Sequence, residues 1–209
     1  EEGPWLSDEV REEIGSKVVA GAEAVGYKGL ATFEFLRDSN GDFYFLEVNP
    51  RVQVEHTVTE MITGYDLVSI GIRVAAGEGI NINQSDVKIR GHAIQTRINA
   101  ENPLTLTPSP GRLWECHWPS GPGVRVDSHA HTGYDMPASF DSLLAKIIVW
   151  SPTRPDAISR MKAALNETML LGVDTLIPLH QAILKNQDFL SGDITIRFLE
   201  EHPELLNGE

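Results

Sequence analysis

The pattern of apolar and polar residues predicts a helix followed by a β-hairpin at the start of the chain. Residues 7–26 begin with a serine and two acidic residues, which is typical of a helix start, and their apolar positions recur at helical spacing. Two β-rich runs, 30–37 and 42–48, follow, with Asn40 and Gly41 between them. An Asn-Gly pair between such runs favours a type I′ turn, so we predict a two-residue hairpin.

Beyond the hairpin, the pattern predicts a second region of strands and helices. A largely helical stretch, 57–76, leads into a connection rich in Gly, Asn and Ser at 77–86, which is the predicted internal boundary. Strands and a longer helix are then predicted, the strands at 88–99, 112–118, 123–128 and 143–150 and the helix at 155–171. Shorter helices are predicted to finish the chain.

The hairpin brings two carboxylates together. If the turn has two residues, Ser39 faces Asp42, and counting back along both strands puts Glu34 opposite Glu47. Two carboxylates opposed across a hairpin repel unless something neutralises them. A divalent cation that prefers hard oxygen ligands, Mg²⁺ or Mn²⁺, would do so. Two solvated glutamates on an exposed sheet face are the alternative that the hairpin alone leaves open.

Every second residue from position 47 to position 55 is polar. The five are Glu47, Asn49, Arg51, Gln53 and Glu55. In an extended chain, period two puts all five side chains on one side. Oxygen ligands beside a guanidinium, an amide and a further carboxylate suit an anionic substrate next to a metal, whereas a solvated edge strand is the competing interpretation. The next residue, His56, is predicted to point to the opposite side and to serve packing.

Composition narrows the class of protein. The 209 residues are 41% hydrophobic and carry a net charge of −13, which argues against general nucleic-acid binding but not against an anion held by a few arginines. Cys116 is the only cysteine, so an internal disulfide is impossible. No apolar run approaches the roughly 20 residues that span a bilayer, and no signal peptide is visible. We therefore expect a cytoplasmic piece of a longer protein, or a mitochondrial-matrix one in a eukaryote.

Several motifs resemble those of biotin carboxylases, which belong to the ATP-grasp superfamily. The signature is TFEF at 32–35 and FLEVNPRVQVEHTVTE at 45–60. The resemblance continues along essentially the whole chain, through GHAIQTRINAE at 91–101, PSPG at 108–111 and FDSLLAK at 140–146. A glutamate–x–asparagine pair recurs in other ATP-grasp ligases, but by this resemblance the Arg-x-Gln-x-Glu continuation points to bicarbonate chemistry.

The resemblance implies an α+β fold in two parts. Residues 1–85 would form the C-terminal half of an ATP-grasp domain, an antiparallel hairpin with helices. Residues 86–209 would form the biotin carboxylase C-terminal domain, an antiparallel sheet with helices. By similarity, Glu34, Glu47 and Asn49 hold a pair of Mg²⁺ or Mn²⁺ ions bound to the phosphates of ATP.

The resemblance also implies a bicarbonate pocket and a biotin contact. Arg51 and Gln53 would bind bicarbonate together with the Val54 backbone N–H. Glu55 would act as the general base that deprotonates bicarbonate, which then attacks ATP to form carboxyphosphate. Arg97 would stabilise the enolate-like ureido oxygen of biotin, so Arg51, Glu55 and Arg97 form the predicted catalytic set.

The implied activity is the ATP-dependent carboxylation of biotin at N1′ on a carrier protein. The implied partners are the N-terminal half of the biotin carboxylase, the biotin carboxyl carrier, a carboxyltransferase and a second copy in a homodimer. Because no phosphate-cradling glycine loop followed by lysine is present, we expect these residues alone to be inactive. The alternatives are another ATP-grasp ligase, such as a carbamoyl-phosphate synthetase-like enzyme, and a non-catalytic dimerisation module. The carboxyl acceptor is left open among acetyl-CoA, propionyl-CoA, methylcrotonyl-CoA and pyruvate.

Overall fold

The computed structural model describes residues 6–206 and divides the chain into two compact units. The first unit ends at Ile89 and the second begins at Arg90. The boundary predicted from sequence, between residues 85 and 86, falls in the short 3-10 helix Gln84–Asp86 just before that point. Both units combine helices with antiparallel strands, so the predicted α+β class is confirmed. No helix in the described range is long and apolar enough to cross a membrane.

The first unit consists of a helix, a hairpin and two further helices. Their bounds are α1 Asp8–Ala24, β1 Thr32–Arg37, β2 Phe43–Asn49, α2 His56–Thr63 and α3 Leu67–Ala75. The hydroxyl of Ser7 accepts a hydrogen bond from the Val10 N–H at 3.4 Å and caps α1, as the sequence predicts. The predicted helical stretch 57–76 is interrupted, because Gly64 adopts a left-handed conformation (φ 77°) and ends α2. Asp66 then starts a new helix by accepting from the Ser69 N–H at 2.7 Å.

The hairpin turn differs from the predicted type I′ turn. The Asp38 N–H donates to the Asp42 carbonyl at 3.0 Å, and the Gly41 N–H donates to the Asp38 carbonyl at 3.1 Å, so the loop has three residues. Gly41 has a φ of 93°, but Asn40 does not have the positive φ that a type I′ turn requires. The Asp38 carboxylate accepts from the N–H groups of Asn40 and Asp42, both at 2.9 Å, which stabilises the longer loop and lowers the pKa of Asp38.

A β-bulge restores the register that the longer loop would have shifted. Phe35 pairs with Phe45, yet Glu34 pairs with Glu47, so Leu46 is an extra residue in β2. The predicted pairing of Glu34 with Glu47 is therefore confirmed, although the turn that led to the prediction is wrong. The extra residue in the loop and the extra residue in β2 shift the strand register in opposite directions, so the two shifts cancel.

The second unit is built on a three-stranded antiparallel sheet. Its strands are β3 His92–Asn99, β6 Val124–Ser128 and β8 Leu143–Ser151, and β8 lies in the middle. The helix α4, Arg154–Glu167, packs its apolar side on this sheet. That side comprises Ala157, Ile158, Met161, Ala164 and Leu165, each no more than 4% exposed.

Two small sheets and the C-terminal helices complete the second unit. The strand β4, Gly111–Arg112, pairs with β7, Asp135–Met136, and β5, Glu115–His117, pairs with β9, Met169–Leu171. The predicted strand 112–118 is thus split between two sheets, and the predicted helix 155–171 is too long by its last residues, which form β9. The remaining helices are α5 Ile177–Ile183, α6 Gln187–Ser191, α7 Phe198–Glu201 and the 3-10 helix Pro203–Leu206.

Candidate active site

One amide joins the two opposed carboxylates of the hairpin. Asn49 is the last residue of β2, and its Nδ2 donates to Glu34 Oε1 at 2.8 Å and to Glu47 Oε1 at 2.9 Å. A single nitrogen therefore lies between the two carboxylates and relieves the repulsion that their pairing creates. All three residues of the predicted metal set meet at one point of the hairpin.

This arrangement fits a divalent cation that is shared with a ligand. Rotating the Asn49 amide by half a turn would present Oδ1 in place of Nδ2, so that Glu34, Glu47 and Asn49 all offer hard oxygen atoms. The residues described by the structure contain no group of three or more His, Cys, Asp or Glu side chains that could hold a metal ion by themselves. Mg²⁺ commonly takes one or two carboxylates and completes its coordination with phosphate oxygens and water. The small number of protein ligands here leaves coordination positions open for such oxygens.

The chain bends directly after Asn49. The Arg51 N–H donates to the Asn49 carbonyl at 2.9 Å, which closes a tight turn around Pro50. Val54 lies in a second turn, and Glu55 already has helical dihedrals (φ −79°, ψ 0°) as the residue before α2. The extended alternation predicted from position 47 to position 55 is therefore wrong beyond Asn49, because proline and the helix start break the strand.

The polar side chains nevertheless converge, through folding rather than through strand period. A cavity of about 470 Å³ in the first unit is lined by Glu34, Arg51, Gln53 and Glu55, with apolar walls from Leu30 and Leu67 among others. The four polar residues come from β1, from the bend, and from the start of α2. One concave site therefore contains carboxylates, a guanidinium and an amide.

Gln53 links the two ends of this site. Its Nε2 donates to Glu34 Oε1 at 3.0 Å, so Glu34 receives one hydrogen bond from Gln53 and another from Asn49. Arg51 in turn donates through one terminal nitrogen to Asn49 Oδ1 and through the other to the Val52 carbonyl, both at 3.3 Å. Gln53 Oε1 is buried and has no hydrogen-bond partner among the described residues. A buried acceptor of this kind is ready to receive a proton donor from a ligand.

The prediction that His56 points away from the site is wrong. Its side chain lines the same cavity as Glu55, and its Nδ1 lies 2.7 Å from the carbonyl oxygen of Gln53. The error follows from the assumed strand, because two turns rotate His56 back toward the cavity. The His56 ring also lies 3.9 Å, at Nε2, from Glu60 Oε2, and the four-residue spacing of these two residues at a helix start is the sequence signal for that side-chain pair.

Arg97 belongs to the second unit and stands in a row of charged residues across the sheet. It is exposed on β3 and faces Lys146 on β8, which in turn faces Asp127 on β6. Arg125 binds Asp127 through Nε at 2.8 Å and through a terminal nitrogen at 2.9 Å, and the Lys146 ammonium lies 3.4 Å from the same carboxylate. Burial raises the pKa of Asp127, but Arg125 and Lys146 outweigh it and hold that pKa below its usual value.

A partly buried histidine holds the backbone of Arg97. His180 Nε2 lies 2.9 Å from the Arg97 carbonyl oxygen, which can only accept, so this nitrogen carries the proton. Burial lowers the pKa of His180 and outweighs the opposing effect of this hydrogen bond, which favours the neutral imidazole. The position of Arg97 on its strand is thus held from α5 as well as from the sheet.

Two family models match the chain. Residues 3–83 match the ATP binding domain of the carbamoyl-phosphate synthase L chain, and residues 95–201 match the biotin carboxylase C-terminal domain. The second match covers half of the chain. The two matches fall in the first and the second unit respectively.

Named relatives and solved structures agree with these matches. The chain is 50% identical to a pyruvate carboxylase subunit from Methanothermobacter thermautotrophicus, over 99% of this chain and 42% of the relative. It is also 50% identical to the biotin carboxylase of Haemophilus influenzae, over 95% of this chain and 44% of the relative. The biotin carboxylase domain dimer of Hydrogenobacter thermophilus 2-oxoglutarate carboxylase, solved with MgADP, ADP and bicarbonate, superimposes with a TM-score of 0.96 at 45% identity, covering 98% of this chain and 46% of that one. The chain thus spans less than half the length of these proteins, and it belongs to the biotin carboxylase family.

Proposed function

We propose that this chain forms part of a biotin carboxylase, an ATP-dependent ligase that activates bicarbonate as carboxyphosphate and carboxylates N1′ of biotin. In this proposal residues 1–85 are the C-terminal half of an ATP-grasp domain and residues 86–209 are the biotin carboxylase C-terminal domain. The observation that carries the proposal is the single cavity in which carboxylates, a guanidinium and an amide meet. Such a mixture suits a small anion beside a phosphate-bound cation.

The hairpin end of the site is assigned to the nucleotide. Glu34, Glu47 and Asn49 would hold Mg²⁺ or Mn²⁺, which neutralises charge on the phosphates of ATP during transfer of the γ-phosphoryl group. The hydrogen bonds from Asn49 to both carboxylates support this assignment, because they keep the oxygens close before a cation arrives.

The other end of the site, which is the cavity lined by Arg51, Gln53 and Glu55, is assigned to bicarbonate. The planar guanidinium of Arg51 can bind two oxygens of the anion at once, a geometry that lysine cannot reproduce. The side chain of Gln53 and the Val54 N–H would complete the anion pocket, with the N–H donating to one of the bicarbonate oxygens. Glu55 would take the proton, so that the freed oxygen attacks the γ-phosphorus and ADP leaves.

The biotin half of the reaction is assigned to Arg97. Carboxyphosphate would break down to CO₂ and phosphate, the phosphate would remove the N1′ proton, and the ureido oxygen would gain negative charge. A fixed guanidinium stabilises such charge without solvent reorganisation. The hydrogen bond from His180 to the Arg97 carbonyl supports this role, because it restrains the strand that carries the arginine.

The proposed partners follow from the same assignment. They are the N-terminal half of the biotin carboxylase, a biotin carboxyl carrier, a carboxyltransferase and a second copy of the enzyme. The similarity to a biotin carboxylase domain dimer supports the last of these. We also propose a cytoplasmic location.

A reconstitution experiment tests the proposal. The 209 residues would be assayed alone and joined to the N-terminal region of the M. thermautotrophicus relative that the family resemblance places before them; we call the joined protein the assembled enzyme. We expect no ATP hydrolysis by the chain alone, and ATP hydrolysis that requires bicarbonate together with biotin carboxylation by the assembled enzyme. Ammonia-dependent ATP hydrolysis would instead favour the carbamoyl-phosphate synthetase-like alternative, which the match of residues 3–83 keeps in view.

Two substitutions in the assembled enzyme test the role assignments. Arg51→Ala and Glu55→Gln should each lower the rate of biotin carboxylation by a factor of about 10² or more, because one removes an anion contact and the other the general base. Binding of ATP, measured by calorimetry, should change little. Loss of ATP binding in either variant would contradict the division of the site into a nucleotide end and a bicarbonate end.

A further inference from the structure

The imidazole of His56 connects the turn that carries Gln53 and Glu55 to the body of helix α2. Its Nδ1 lies 2.7 Å from the Gln53 carbonyl oxygen, and the His56 backbone N–H donates to that same oxygen at 3.2 Å. On the other side of the ring, Nε2 lies 3.9 Å from Glu60 Oε2. The side chains of His56 and Glu60 are 16% and 10% exposed, so both ionisable groups are largely shielded from water.

The geometry determines where the imidazole carries its proton. A carbonyl oxygen accepts hydrogen bonds and cannot donate them, so Nδ1 must carry a hydrogen. The 3.9 Å separation on the Glu60 side is too long for a hydrogen bond but leaves an electrostatic attraction when the ring is charged. Glu60 is itself held, because its Oε1 accepts from the Leu67 N–H at 2.8 Å at the start of α3.

Gln53 is the residue on which this support acts. Its main-chain carbonyl receives both hydrogen bonds from His56, while its side chain reaches Glu34 and leaves a buried acceptor unpaired. A peptide group fixed in this way also fixes the direction in which the Gln53 side chain leaves the backbone. The same turn presents Glu55, and its closing hydrogen bond is the one from the His56 N–H.

We propose that His56 is a positioning residue for bicarbonate, which acts by holding the Gln53 peptide so that Gln53 and Glu55 meet the anion in the cavity. This inference rests on the proposed function. His56 lines the same cavity as Gln53 and Glu55 and hydrogen-bonds to the Gln53 carbonyl, which a purely packing role does not require. The hydrogen-bonding atom of the ring is Nδ1.

Two substitutions separate the two ring nitrogens. Asparagine places its amide nitrogen the same number of bonds from the backbone as Nδ1, whereas glutamine places it at the distance of Nε2. In the assembled enzyme, His56→Gln should raise the KM for bicarbonate about tenfold, the effect of losing one hydrogen bond of ordinary strength. His56→Asn should leave the KM for bicarbonate within about threefold of that of the unchanged enzyme. Neither variant should alter the KM for ATP.

Two measurements on the 209-residue chain itself are independent of activity. Nitrogen NMR of the His56 ring should show a protonated Nδ1 at neutral pH. Hydrogen exchange at the backbone amide of position 56 should be faster in His56→Gln than in His56→Asn, because that amide closes the turn. Melting temperatures of the two variants should be similar, since both leave the apolar core intact.

The outcomes distinguish this inference from the proposed function. An unprotonated Nδ1, equal kinetics in the Gln and Asn variants, or a parallel change in both KM values would overturn the positioning role. If the assembled enzyme without substitutions is inactive while the ring and exchange results hold, the proposed function fails and the bicarbonate role of His56 fails with it, but the His56–Gln53 geometry stands. If instead the assembled enzyme is active and Nδ1 is unprotonated, the proposed function stands and the positioning role of His56 fails.

Discussion

The two units differ in how they are held together. In the sheet of the second unit, Ile98 and Ile147 are completely buried and pack with one face of α4. In the hairpin of the first unit, Phe45 and Leu46 are 60% and 54% exposed, and helix α1 buries no residue fully. The cavity of the candidate site is therefore carried by the first unit, which has little apolar burial, and hydrogen bonds among the polar side chains of the site hold it. Regions with few buried apolar contacts open more readily than a packed core.

This difference predicts a large stability effect in the second unit. Leu165 is 1% exposed in α4, so Leu165→Ala should reduce the free energy of unfolding by about 3 kcal/mol through lost burial and a residual cavity. Urea unfolding followed by circular dichroism would measure it. A loss below about 1 kcal/mol would mean that α4 does not form the core of this unit.

An intermediate effect is expected where charge rather than packing stabilises the second unit. The pKa of Asp127 is lower in the folded chain than in the unfolded chain, so the stability that it contributes is present above the usual carboxyl pKa. It is lost as the pH falls through the folded value. Asp127→Asn should lower the free energy of unfolding by about 1 kcal/mol at pH 7. The stability of this variant should decline less steeply on acidification than that of the unchanged chain. Parallel acid-unfolding curves would contradict this account.

The smallest effect is expected in the hairpin. Leu46→Ala removes the same atoms as Leu165→Ala but from a side chain that is already half exposed, so we expect a cost of about 0.5 kcal/mol. The same urea measurement provides a matched comparison of one leucine with the other. A cost equal to that of Leu165→Ala would show that the hairpin is covered by apolar contacts, and the contrast between the units would disappear.

The sequence predicted the sheet and its helix well, because period and apolar runs there agree with the packing. The turn was mispredicted, since Asp38 caps a longer loop with its carboxylate and a side-chain hydrogen bond of this kind has no periodic signal. The bulge at Leu46 then restored the Glu34 pairing, so a correct pair came from an incorrect turn.

The candidate site was predicted in its members but not in its geometry. The prediction aligned the polar residues on a strand that runs through Glu55, yet two turns after Asn49 bring them around a cavity instead. His56 was assigned to the wrong side for the same reason. The alternation of side chains between two faces holds only within a strand, so it could not predict the directions of the side chains after Pro50.

The most direct test of the central claim follows one oxygen atom. If the cavity binds bicarbonate for attack on ATP, the assembled enzyme supplied with ¹⁸O-labelled bicarbonate should release inorganic phosphate that carries one ¹⁸O, because the attacking oxygen stays on phosphorus when carboxyphosphate loses CO₂. Mass spectrometry of the phosphate would measure the transfer, with Glu55→Gln as the control in which labelled phosphate should be nearly absent. We predict one labelled oxygen per phosphate released. Phosphate formed at the same rate without label would show that water attacks ATP, and would contradict the account.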